Sequence, residues 1–197
     1  MAGIFASLLS FVLVYKYIAL FLITFLGAFA LPLPSGSILM AASAFSLGGH
    51  FNIVSVFIVG LTGNILGDNA GYWLVRHYGM SAMNKIKLGR FFKPERLEAA
   101  RDKLDTHPIL TIYSTRFFTS IAPAINVAAG LSKLSYKRYL LYESLGELTE
   151  VTLFCLLGYL LGTNWEYFNK ISWWFWVIGG ILITVILWKV ILKKKPS

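Results

Sequence analysis

Two stretches of this chain carry no charge: the residues between Lys16 and Asp68, and those between Lys170 and Lys189. An uncharged apolar run of roughly 18 residues or more is long enough to cross a bilayer as a helix. Inside lipid every backbone amide needs a partner within the protein, so these runs are expected to be helical. Composition agrees. The chain is 57% hydrophobic and 14% charged, where a soluble domain has about 25% charged residues. Residues 1–197 are therefore read as one integral membrane domain, too small to add a large soluble catalytic unit. The fold class expected is an all-α polytopic membrane protein. It has about four crossing helices and two opposed re-entrant segments in an inverted-repeat-like order.

The formal net charge is +9. On a soluble protein that would point to nucleic acid. Here the basic residues gather at the ends of apolar segments, as cytoplasmic loops do, and no nucleic-acid partner is expected. Cys155 is the single cysteine, so an intrachain disulfide and a multi-cysteine metal site are both excluded. The N-terminus lacks a basic n-region and a small-residue cleavage site, and is expected to be retained. Residues 163–176, TNWEYFNKISWWFW, carry aromatic residues suited to a membrane interface.

The stretch 107–130, HPILTIYSTRFFTSIAPAINVAAG, lies between two basic segments. It holds Arg116 and Pro123 at membrane depth, where a plain crossing helix avoids both. A segment that enters, breaks near Pro123 and returns to the same side can use them if it lines a protein-walled cavity. A second broken stretch spans 30–50: Pro32 and Pro34 interrupt the helix, Ser35-Gly36-Ser37 offers a turn, and a short apolar piece follows. The breaks are assigned to Pro32, Pro34, Pro123 and Gly130.

Between them, 51–78 reads as a crossing helix with Gly60, Gly63, Gly67 and Gly71 at helical spacing, a face that lets another backbone approach closely. Residues 79–106 form the one hydrophilic stretch, a cytoplasmic amphipathic segment with a helix opening at Pro94. Arg96, Glu98, Arg101 and Asp102 are expected to form surface pairs there. Residues 139–162 and 172–192 read as the last two crossing helices, the second ending in a basic tail. Placing the basic segments 76–104, 133–138 and 189–195 all in the cytoplasm forces 107–130 to enter and leave on one side, and makes 30–50 open on the other. Broken helices meeting from opposite faces are the sequence pointer to a transport site.

Four features, in order, carry a family resemblance over roughly residues 20–162. Phe25-Leu26 precedes Leu31-Pro32-Leu33-Pro34 and a Gly/Ser turn. Gly67-Asp68 is followed by Tyr72, Arg76 and Gly79. Arg116-Phe117 is followed by Ala129-Gly130, thirteen and fourteen positions after the arginine. Leu157-Gly158-Tyr159 leads to Gly162. On these residues the chain resembles the DedA family, which shares the VTT domain with the SNARE-associated Golgi proteins, as a divergent member. The resemblance implies lipid translocation: flippase- or scramblase-like movement of undecaprenyl phosphate or phospholipid, with proton coupling in some members. The chain departs from the family pattern at several points. Gly27 and Ser35-Gly36-Ser37 stand where the family usually places acids. Ala122 stands where it usually has a second arginine, and Thr119-Ser120 where it usually has Pro-Gly.

Arg116 is the leading candidate for substrate contact, because a planar guanidinium binds two phosphate oxygens at once; the alternative is an arginine that snorkels to the cytoplasmic surface. Asp68 is its natural counter-charge, either a fixed structural partner or one that phosphate or a proton displaces. Tyr72, Asn126, Ser35 and Ser37 are further candidates to line the cavity. Glu143, Glu147 and Glu150 recur at i, i+4 and i+7, on one helical face. Glu143 is expected near the interface, and Glu147 and Glu150 deeper. Glu147, Glu150 and Asp68 are the candidates for proton coupling, with salt bridges to Arg116 or Lys137, or a water-exposed cavity wall, as the alternatives for the glutamates.

No nucleotide loop, Gly-x-Ser-x-Gly or His-Glu-x-x-His occurs, His50, His77 and His107 are dispersed, and neither cofactor nor metal is expected. The function expected is non-enzymatic: translocation of an anionic lipid, with membrane lipids as partners and a homo-oligomer permitted by the glycine faces. A proton-coupled small-solute exchanger and a non-transporting scaffold are the alternatives. The location expected is the inner (plasma) membrane, multi-pass, with a cytoplasmic C-terminus.

Overall fold

A computed structural model describes residues 2–29, 31, 33–85, 87, 89, 94–116, 122–132 and 134–162. Among them are seven helices and no strand. They are α1 (Ala2–Phe29), α2 (Ser35–Ala44), α3 (Ile53–Lys85), α4 (Pro94–Thr106), α5 (Pro108–Thr115), α6 (Ala122–Leu131) and α7 (Tyr136–Leu161). Three of them, α1, α3 and α7, are long and apolar enough to cross a membrane. The last apolar segment 172–192, its basic tail, the aromatic stretch before it, Pro32 and residues 117–121 lie outside the described residues.

α1 kinks at Lys16, the one charge in its length. Just past the kink, the Tyr17 hydroxyl accepts a hydrogen bond from the Asn52 backbone N–H at 2.8 Å. From there α1 runs alongside α3 in the same direction: Phe21 lies against Gly63 and Phe29 against Gly71. The glycines that looked like a packing face are one, and Gly63, Gly67 and Gly71 receive α1. The chain then turns, Pro34 stands at the N-cap of α2, and α2 runs back. Leu39 meets Gly60, and Met40 and Ala44 meet Gly158 and Gly162 of α7. α1 and α2 thus form a hairpin whose tip lies beside the middle of α3.

The second half of the chain meets α3 from its other end. α3 kinks at Gly79, where φ is 63°, a left-handed value that glycine adopts freely. α4 follows and packs on α5 and α6 through buried Leu97, Ala100 and Leu104. α5 then runs inward to Arg116 beside Asp68, and α6 returns to the Arg76 end of α3. The carbonyls at the end of α6 are satisfied by two arginines. Arg101 donates to Leu131 O at 2.8 Å, and Arg76 donates to Ser132 O. Cations there also suit the negative end of the helix dipole. Arg101 therefore caps a helix, where the sequence suggested surface pairing.

Pro123 falls in the first turn of α6, where a missing N–H costs nothing. Gly130 lies inside the last turn of α6 and does not break it. A Cβ there would stand 2.6 Å from Tyr72 O, so its function is close approach of α6 to α3.

Two apolar clusters result. One gathers Val12, Leu20, Ile38, Leu39, Val56 and Val151 around the start of α3. The other gathers Tyr72, Val75, Leu104, Ile112, Val127 and Tyr139 around its Arg76 half. Between the two, buried Asn64 and Asp68 of α3 and Glu143 and Glu147 of α7 form a polar layer.

Candidate functional site

That polar layer is built around Arg116. The end of α5 delivers it, and Gly146 of α7 makes room for its stem: a Cβ at 146 would stand 2.7 Å from Arg116 Cγ. The guanidinium is 1% exposed. Nη1 donates to Asp68 Oδ2 of α3 and to Glu147 Oε1 of α7 at 2.8 Å. Nη2 donates to Asn126 Oδ1 of α6 at 2.7 Å. Asn126 closes the ring by donating from Nδ2 to Asp68 Oδ1. Asn64 of α3 donates to Glu147 Oε2 at 2.7 Å, and the Tyr139 hydroxyl donates to the Asp68 backbone carbonyl at 3.3 Å. Four helices thus meet on one cation.

Such a layer is costly to desolvate. A buried ion pair is held only where geometry and further hydrogen bonds satisfy both partners. Here the two amides and the arginine together serve both carboxylates of the pair. Arg116 Nε, Asn64 Oδ1 and Glu143 Oε1 nevertheless find no partner among the described residues. Asp68, Glu143 and Glu147 bring carboxylate oxygens within 4.8 Å of one another, and the cation standing among them is the guanidinium.

The structure brings together Arg116, Asp68, Asn126 and Glu147 of the residues the sequence singled out. The others sit elsewhere. Tyr72 is buried but stacks on Tyr139, with ring centroids 4.3 Å apart, and its hydroxyl donates to Leu134 O at 3.4 Å. It belongs to the aromatic layer on the Arg76 side of the cluster. Ser35 is half-buried at the start of α2, and Ser37 is exposed. Glu150 is 6% exposed, one turn beyond Glu147, and makes no hydrogen bond among the described residues. Pro34 is half-buried at its helix start.

Two members were not anticipated. Glu143, expected near the interface, is fully buried at 0% exposure, because α3 and the end of α5 pack against this part of α7. Asn64 is one polar residue in a glycine-rich helix. Its position four residues before Asp68 puts both on one face, and that was the available signal.

A layer of charge closed between two apolar clusters, with three helices long and apolar enough to span lipid, defines a polytopic membrane protein. The chain belongs to the VTT domain family, whose model matches residues 33–160, and is a multi-pass DedA-type membrane protein. It is similar to Protein DedA of Escherichia coli, 28% identical over 76% of this chain and 70% of the relative. It is also similar to undecaprenyl phosphate transporter A of Bacillus subtilis, 21% identical over 84% of each chain. An uncharacterized membrane protein of Synechocystis is 26% identical over 81% of this chain and 73% of its own. No solved structure matches.

Proposed function

We propose that this protein moves an anionic lipid across the bilayer, its phosphate head group passing Arg116, without nucleotide hydrolysis. The observation that carries this reading is the guanidinium itself. It is buried at the meeting point of four helices, and its partners are carboxylates and an amide that a phosphate could replace oxygen for oxygen. The name of the Bacillus relative makes a polyprenyl phosphate one candidate lipid. A phospholipid offers the same phosphate.

The path follows from the two hairpins, α1–α2 and α5–α6, read as segments re-entrant from opposite faces. Their packing is reciprocal: α2 lies on α7 and α6 lies on α3, the relation expected of an inverted repeat. Displacement of Asp68 or Glu147 from Arg116 is then the step that admits the phosphate. Protons taken up by Asp68, Glu147 or Glu150 would assist that displacement. The basic ends of α3 and α4 face the cytoplasm in this reading, in the plasma membrane.

Reconstitution into liposomes with a fluorescent phospholipid or a short-chain polyprenyl phosphate tests it. Arg116→Ala is expected to lower translocation at least about tenfold, as truncating one partner of a buried charge pair does, in protein that still elutes as a folded species. An unchanged rate would favour a scaffold that has no need of a central arginine. A wild type inert toward every lipid would favour small-solute exchange.

A further inference from the structure

Three carboxyls lie around the one cation of this layer among the described residues, and Glu143 is the one that Arg116 does not bond. Nη1 of Arg116 is taken by Asp68 and Glu147, and Nη2 by Asn126. Glu143 is fully buried. Its Oε2 accepts one hydrogen bond, from Ser144 Oγ at 3.2 Å. Its Oε1 meets no partner among the described residues. The charged and titratable groups around it are Asp68 from α3, Arg116 from the end of α5, and Glu147 and Tyr139 on its own helix. A third carboxylate this close to two others, with a single hydroxyl donor and no cation of its own, would be an uncompensated buried charge. As a carboxylic acid the same group is neutral, and its O–H becomes a donor toward the oxygens it faces.

We propose that Glu143 is a proton-binding site whose occupancy sets whether Arg116 is open to an anionic head group. The proton comes from water and returns to it, forming and breaking one O–H bond on the carboxyl. With the proton on, Glu143 makes no claim on the guanidinium, and a phosphate competes only with Asp68 and Glu147. With the proton off, Glu143 is a further anion beside Arg116 and opposes the phosphate. A proton on Glu143 and a phosphate on Arg116 therefore favour each other, and by linkage the effect is mutual. The phosphate half of this statement rests on the lipid-transport reading, and the proton half stands without it.

Infrared spectroscopy of the purified full chain in lipid separates the two. A carbonyl stretching band of a buried carboxylic acid is expected in the wild type near neutral pH, and Glu143→Gln is expected to remove it. Ser144→Ala keeps the carboxyl and removes its hydroxyl donor, so it is expected to shift the band and identifies Glu143 even if Glu143→Gln does not fold. Transport by Glu143→Gln, which is permanently uncharged, is expected to lose at least half of the wild-type pH dependence. A wild type without the band would overturn the proposal. So would a band that survives Glu143→Gln or does not move in Ser144→Ala. A band that behaves as expected in a protein moving no lipid leaves the proton site standing and removes the lipid reading.

Discussion

Neutralising the whole ion cluster at once is expected to leave a folded protein that moves no lipid. Arg116→Met alone leaves Asp68 and Glu147 buried without their cation, and breaking a buried pair in this way costs about 3–5 kcal/mol. Adding Asp68→Asn and Glu147→Gln removes the stranded charges while keeping oxygens for the amides of Asn126 and Asn64, which donate to those positions. Replacing a complete buried pair by neutral groups is often neutral or stabilising, so the triple variant is expected to regain most of the lost stability. The thermal midpoint in detergent measures the recovery, and liposome transport measures the function. Recovery of both stability and transport would make the cluster a structural bridge and nothing more. Recovery of stability alone assigns the charge to transport, a separation that no single substitution achieves.

Gly130→Val is expected to abolish transport with every charged residue still in place. A Cβ at 130 would stand 2.6 Å from the Tyr72 carbonyl, a backbone atom that has no rotamer to turn away. Overpacking of this kind costs about 1–3 kcal/mol, and α6 must move off α3 to relieve it. Asn126 is one turn earlier on the same face, so that movement takes its amide away from Asp68 and Arg116. Gly130→Ala should act in the same direction with a smaller effect. Transport measured beside the thermal midpoint checks this. Wild-type rates in a destabilised Gly130→Val protein would show that the fit of α6 against α3 does not position the site.

The pairing of Arg116 with Asp68 was legible before any coordinates, because two opposite charges at membrane depth have few other ways to be accommodated. Asn126 was legible for a similar reason, as a polar residue after the proline of a broken segment. Glu143 was misjudged on distance along the chain. It follows Lys137 and Arg138 closely, and helix length alone puts it near their boundary. Its burial comes from α3 and α5, which are far from it in sequence. The aromatic stack of Tyr72 on Tyr139 was equally hidden, since either tyrosine alone reads as an interface residue.

The sequence by itself determined the class of the protein and its punctuation. Uncharged runs require helices in lipid, prolines and glycines mark where helices begin or bend, and basic clusters mark segment ends. All of these are local properties, set by a residue and its near neighbours. Only the tertiary structure decided which polar groups share a site. α1 and α2 turn beside the middle of α3, α5 and α6 come in from the other end, and α7 lies across both. One arginine thereby meets two carboxylates and an amide from three further helices, while a third carboxyl is sealed in beside them. Burial and charge balance depend on every element that surrounds a group, and no window of the sequence contains them.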